Sequence, residues 1–235
     1  MMRPAHLGAC LSLLIAAVPA VTQAQARAGE WVSYRDAYRA MVQFDKYGGP
    51  KHLLQNALQV QPQTRGMLGE GAGLVLNGKT VQTTLPLDAT GRTALPLLKA
   101  AYDENAVLAP NRALGPFTTR ARVSLALRAD GLYEAADLRA ACEQALGFAR
   151  HTDASARKLA CAGVRLVFSK QGAQTVRVRA NGAEQVLPVL RAAAFAGDAD
   201  DDFPVVVYRF GAAGAGQVVT YNAPLAIVPL FEQGP

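Results

Sequence analysis

The chain has 235 residues, of which 51% are apolar, and a formal net charge of +6. That apolar share argues against disorder along the chain, and the length suits one domain or two small ones with a substantial core. The positive excess is mild and spread along the sequence, so it permits contact with membrane phosphates or acidic polysaccharide without requiring it.

The first residues read as a cleaved secretory signal. Arg3 is the only charge in residues 1–26, an apolar run follows over residues 7–21, and Ala24, Gln25 and Ala26 offer small residues for cleavage. Cleavage after Ala26 leaves 209 residues (235 minus 26) with a charge of +5 (23 basic minus 18 acidic). Leu7, Gly8, Ala9 and Cys10 also spell a lipobox, but a lipid-anchored protein carries its apolar core before that cysteine, not after it. The apolar run is too short to span a bilayer comfortably, and nothing later is long and apolar enough for a membrane helix. The chain is expected in the periplasm.

Ser33, Tyr34, Arg35 and Asp36 read as a capping box opening a helix with the stripe Tyr34, Ala37, Tyr38, Met41 and Val42, stopped by Gly48, Gly49 and Pro50. Alternation over residues 54–61 gives a strand closed by Pro62. The glycine-rich stretch 66–73 lacks the Gly-Lys-Ser/Thr ending and the following helix of a nucleotide loop, so it reads as a connection. Asn77 and Gly78 mark a hairpin between residues 74–76 and 80–87, and residues 88–91 turn again. Residues 117–128 form a long strand with Ala121, Val123, Leu125 and Leu127 on one face and Arg120, Arg122, Ser124 and Arg128 on the other.

Residues 132–170 are the organising unit: a helix over 134–150, a polar connection, and a strand over 163–169. Cys142 lies on the helix's apolar face and Cys161 just before the strand. Once Cys10 leaves with the signal, these two remain in an oxidising compartment, which predicts a disulfide closing a 20-residue loop. Beyond it, Asn181 and Gly182 make a second hairpin, residues 197–203 an acidic loop, residues 205–210 and 217–221 two strands, and residues 225–231 a final apolar segment. The two Asn-Gly turns and the Leu-Pro pairs after them faintly suggest a duplication, although hairpin chemistry alone yields the same letters. The organisation reads as a lobe over 27–128 and a disulfide-stapled lobe over 129–235, which can form one domain.

Chemistry is sparse. Only His52 and His151 survive cleavage, and both read as structural or surface residues. No nucleophile elbow, zinc-protease helix or Ser-x-x-Lys motif occurs. The pairs Glu134/Asp137 and Asp103/Glu104 satisfy a glycosidase's need for two carboxylates, yet sit as helix-start and loop charges. Asp198, Asp200 and Asp202 alternate as a candidate irregular calcium loop, though Phe203 and Arg209 exclude an EF-hand. Arg120 and Arg122 on one strand, with Arg177 and Arg179 on another, form a candidate anion-binding face if the strands adjoin. No cofactor is implied, and nucleic acid is not an expected partner.

The order of Ser33 to Tyr38, Leu85 to Asp88, Ala129 to Tyr133 and Tyr221 to Leu225 resembles a group of uncharacterised proteobacterial envelope proteins of unknown function. That resemblance implies export and assigns no catalytic residue. The expected fold is α+β, mainly antiparallel sheets in a sandwich-like arrangement with two packed helices and one disulfide. The expected function is a non-enzymatic binding or accessory module of the envelope, the partner being another envelope protein or an anionic polymer. The alternatives are a hydrolase of envelope polymers and a polyanion binder using the arginine face.

Overall fold

The computed structural model describes residues 31–211 and 216–234, so the expected signal over 1–26, with Cys10, lies outside the described residues. The first half comprises β1 (Val32–Ser33), α1 (Tyr34–Lys46), β2 (Leu54–Pro62), β3 (Gly73–Asn77), β4 (Gln82–Pro86), β5 (Arg92–Thr93), α2 (Lys99–Asp103), β6 (Val107–Pro110) and β7 (Phe117–Leu125). There follow β8 (Leu132–Glu134), α3 (Ala135–Thr152), a 3-10 turn (Ala154–Lys158) and β9 (Leu159–Val167). The remainder is β10 (Val176–Ala180), β11 (Ala183–Val186), β12 (Val189–Ala192), β13 (Phe203–Arg209), β14 (Gln217–Thr220) and β15 (Ala226–Gln233). The strands form three antiparallel sheets, ordered β1-β6-β3-β4, β11-β10-β14-β8 and β12-β13-β9-β15-β7-β2-β5.

Both halves of the chain supply the seven-stranded sheet, so the boundary expected at residue 128 falls inside one hydrogen-bonded unit. One face of that sheet carries Leu54, Leu58, Val60, Leu125, Leu166 and Ile227, all buried. Leu58 and Val60 pack with α1 and the β3 sheet, where Leu74, Leu76 and Leu108 are buried. Leu54, Leu125, Leu166 and Ile227 pack with α3 and the β10 sheet, where Val176 and Val218 are buried. The arrangement is a sandwich in which the two long helices pack on the large sheet beside the smaller sheets and meet where the Phe44 and Phe148 rings lie 5.3 Å apart, as the alternation of apolar residues predicts. The disulfide between Cys142 on α3 and Cys161 in β9, 6.0 Å apart at Cα, ties the helix to the middle of the large sheet.

The stripe on α1 is seated as expected, with Tyr34, Ala37 and Met41 buried. The capping box is not used: Ser33 makes no side-chain cap hydrogen bond. It lies instead in β1 opposite Val107, and the Tyr34 amide donates to the Ala106 carbonyl at 3.0 Å. Strand pairing has taken the geometry a cap would need. Past the helix end, the Lys51 ammonium donates to the carbonyls of Phe44 (2.8 Å) and Tyr47 (2.9 Å), where a cation meets the negative end of the helix dipole. Tyr34 is fully buried; its hydroxyl donates to Pro96 O at 2.6 Å and accepts from the Leu98 amide at 2.7 Å. Tyr34→Phe removes both hydrogen bonds of the buried hydroxyl without opening a cavity, leaving the Leu98 amide only its longer 3.2 Å bond to Pro96 O. The expected loss is about 1–3 kcal/mol, read as a lower urea midpoint with an unchanged slope.

The two Asn-Gly pairs behave differently. Asn181 (φ 52°) and Gly182 (φ 76°) form the tight two-residue turn, with Ala180 opposite Ala183. Asn77 pairs instead with Gln82, leaving a four-residue loop over 78–81. Its backbone is organised from outside by the Glu104 carboxylate, which accepts from the amides of Lys79 (2.7 Å) and Thr80 (3.1 Å). The likeness between the two hairpins is one of letters rather than conformation.

Candidate functional site

The other face of the seven-stranded sheet is where sequence alternation predicts solvent, and it is covered instead. Segment 193–203 and the turn over 88–92 close over it, leaving Gln59, Arg92 and Ser124 buried. Ala194, Phe195 and Phe203 supply the apolar contacts, packing with Val167, Val205 and Ala226. Beside them lies a polar layer.

The layer begins at Asp88. Its Oδ1 accepts from the amides of Thr90 (2.8 Å) and Arg92 (2.9 Å), a side-chain turn that fixes residues 88–92. Gly91 completes the turn at φ +79°, and a Cβ there would stand 2.2 Å from Val60 O. Asp88 Oδ2 accepts from both Arg92 Nε (3.2 Å) and Nη2 (3.1 Å), so a single oxygen takes two charge-assisted bonds. Arg92 Nη1 donates to Ser124 Oγ at 3.2 Å, and Nη2 also reaches the Leu225 carbonyl.

Asp198 is the matching centre beneath the covering segment. Its Oδ2 accepts from Gln59 Nε2 at 2.9 Å and the Phe195 amide at 3.2 Å, and its Oδ1 from Arg122 Nη2 at 2.9 Å. Arg122 Nε donates to Gln59 Oε1 at 2.7 Å, and Gln59 Nε2 also donates to Thr90 O at 2.9 Å, joining the two centres. The Phe195 ring receives both guanidiniums, with Arg92 Cζ 5.3 Å and Arg122 Cζ 5.0 Å from its centroid. Arg165 Nη2 donates to Ala193 O at 2.6 Å. Burial pushes the pKa of Arg122 and of Arg165 below the ordinary guanidinium value, with Asp198 opposing the shift in both. Both carboxylates of the layer are thus committed to arginines and amides. That chemistry holds a covering segment down on the sheet.

The anticipated sites are dispersed by the same folding. Arg120 and Arg122 stand on β7 of the large sheet, whereas Arg177 and Arg179 stand on β10, which pairs with β11 and β14. The single anion-binding face requires adjoining strands and does not form. Arg177 and Arg179 both pair with Glu184, the latter at 2.8 Å. Hydrogen bonds from Arg179 and then Arg177 hold the Glu184 carboxyl below its usual pKa.

The acidic loop does not assemble as a calcium site either. Asp198 faces Arg122, Asp200 meets Lys170 at 2.7 Å, and Asp202 lies 3.7 Å from Arg65 and 3.9 Å from Arg191. Among the described residues no group of three or more histidine, cysteine or acidic side chains is arranged to hold a metal ion. Basic side chains from four separate segments have converged on the carboxylates, which the local Asp spacing could not show.

The remaining candidates have structural partners. Glu134 accepts from Gln217 at 2.8 Å, Asp103 pairs with Lys99, and Glu104 holds the 78–81 loop. Asp137 sits in the first turn of α3, the His151 ring lies 5.2 Å from that of Tyr47, and His52 rests beside Gln144. Asp88, Gln59, Arg92 and Phe195 were not singled out by sequence; the one available signal was the Asp-x-Thr-Gly-Arg turn pattern.

The chain matches no protein-family model, no curated protein and no solved structure. What it offers to a partner has to be read from its own surface. Among the described residues, the four most exposed large apolar side chains are Val186 (59%), Tyr221 (57%), Leu190 (52%) and Val189 (43%). Val186, Val189 and Leu190 lie along one arm, residues 176–192, which turns at Asn181 and Gly182 and passes from the β10 sheet into the large sheet through Leu187 and Pro188; Val189 and Leu190 take opposite faces of β12, and the Tyr221 ring lies beside Arg177. No helix among the described residues is long and apolar enough to cross a membrane.

Proposed function

We propose that this chain is an exported, non-enzymatic binding or accessory module of the cell envelope, working in the periplasm and recognising its partner through the arm over 176–192. One contrast supports the reading. The polar residues concentrated on the large sheet are consumed in holding segment 193–203, while three of the most exposed apolar side chains lie along the stretch 186–190 and the fourth, Tyr221, lies beside its Arg177. Exposed apolar side chains scattered singly need no explanation, but a group of them marks an interaction surface. The cysteine pair and the amino-terminal signal pattern support export, since disulfides persist in oxidising compartments.

The test is to express the precursor in a Gram-negative cell with a photoreactive residue at position 190, or at position 79 on the 78–81 loop. The expected result is disulfide-bonded protein in the periplasmic fraction, with a protein or lipid adduct at position 190 only. Reduced protein retained in the cytoplasm, or adducts absent from both positions or equal at both, overturns the reading.

A further inference from the structure

We propose that segment 193–203 is a latch over an anion-binding surface of the large sheet, with Asp198 as the built-in occupant that a phosphate group displaces. The site is separate from the arm and does not depend on it.

The side-chain bonds between the large sheet and the segment all run in one direction. Arg165 Nη2 donates to Ala193 O at 2.6 Å, Gln61 Nε2 to Gly197 O at 2.6 Å, and Arg122 Nη2 to Ala196 O at 3.4 Å. The Asp198 carboxylate accepts from Arg122 Nη2 and Gln59 Nε2, each at 2.9 Å. The sheet supplies the donors, and the segment supplies three carbonyls and a carboxylate. Beneath the segment, therefore, lies a cluster of guanidinium and amide N–H groups, which is the chemistry that receives an oxyanion.

The charge balance points to an anion stronger than one carboxylate. Arg120 shares the outer face of β7 with Arg122, and its Nη1 comes to 3.8 Å from where a Cβ on Gly197 would stand. Among the described residues, Asp198 is the only carboxylate that forms an ion pair with Arg120, Arg122 or Arg165. Three positive charges thus share one negative, whereas Arg92 has Asp88 as its own partner. A phosphate group carries about −1.5 to −2 at neutral pH and three acceptor oxygens, which answers that surplus. The segment is also lightly held. From Ala193 to Asp202 only Ala194 and Phe195 are buried, and Gly197 bends the run at φ +82°. In the closed form Gln61 Oε1 is buried without a donor, a cost that ends when the segment lifts and water enters.

The experiment is titration of the mature, disulfide-bonded chain with inorganic phosphate at fixed pH and ionic strength, with chloride as the reference anion. Binding is read by calorimetry, and opening by hydrogen exchange at the Phe195 and Asp198 amides, which bond to Asp198 Oδ2 and Phe195 O inside the segment. Phosphate should bind the wild type and speed exchange at both amides without speeding it in β9 and β15. An open form populated at about 0.1–10% weakens binding in proportion, so Asp198→Asn, which removes the occupant, should tighten it about ten-fold or more. Arg120→Gln with Arg165→Gln, which break no ion pair, should weaken it about ten-fold or more. Glycerol phosphate in a parallel titration separates the two sources of the group: tighter binding of the ester assigns a phosphate ester as ligand, tighter binding of inorganic phosphate the free ion, and both results support the site. Circular dichroism checks each variant's fold, and if Asp198→Asn unfolds, the wild-type titration and exchange decide alone. Absence of wild-type binding, an equal response to chloride, binding that leaves the two amides unchanged, or binding indifferent to the arginine pair overturns the proposal. Binding by Asp198→Asn with a silent wild type also overturns it, because the segment is then a fixed part of the fold.

Discussion

Asp198→Ala should lower the stability of the folded chain by about 3–5 kcal/mol, the range for breaking one side of a buried ion pair. The side chain of Asp198 is 7% exposed and that of Arg122 18%, so water reaches neither freely. Removing the carboxylate leaves Arg122 charged in a half-buried layer, and it takes an acceptor from Gln59 Nε2 and from the Phe195 amide. Segment 193–203 would lose the anchor that orders the Phe195 ring between Arg92 and Arg122. Urea unfolding of the purified chain measures the loss. Pairing the change with Arg122→Met should recover much of it, because the uncompensated charge disappears along with its partner. A loss under about 1 kcal/mol for Asp198→Ala would mean that the apolar contacts of Phe195 and Phe203 alone hold the segment.

Replacing both cysteines, Cys142→Ser with Cys161→Ser, should cost about 3 kcal/mol, the chain-entropy value for a loop of this length. The bond restrains the last part of α3, the 3-10 turn and the start of β9, so the reduced chain gains freedom mainly in its unfolded state. Cys142 is fully buried, and its serine replacement places a hydroxyl against the core, which adds to the loss. Denaturant midpoints of the wild type, with and without reductant, and of the double variant measure the effect. Identical midpoints for all three would show that the staple carries none of the stability assigned to it.

How far the fold could be read ahead depended on whether local periodicity met a single competing interaction. The stripe on α1, the alternation along β2 and β7, and the apolar face of α3 all survive, because burial rewards the face the pattern already exposes. The tight turn at Asn181 and Gly182 survives because two residues determine it. The pattern failed where a distant segment decides. Gln59 and Ser124 occupy alternation positions that mean solvent unless something covers them, and the cover lies in 193–203, far along the chain. Glu104 reshapes the Asn77 loop, and pairing with β14 makes β8 a strand, where the sequence shows only three residues before a helix. The candidate sites fared as their reasoning allowed. The cysteine pair needed only compartment and count, whereas the arginine face and the calcium loop needed strand neighbours and counter-ions that local sequence does not contain.

In the large sheet β15 lies between β9 and β7, although it is the last strand in chain order. The interior of the sheet therefore waits for residues 226–233, and everything synthesised before them has an open seam at its middle. Such an order leaves β9 and β7 without their shared neighbour until residues 226–233 have been made, so their sheet edges stay open through the earlier stages of folding. Closure of the seam then waits on one event, the seating of residues 226–233 between β9 and β7.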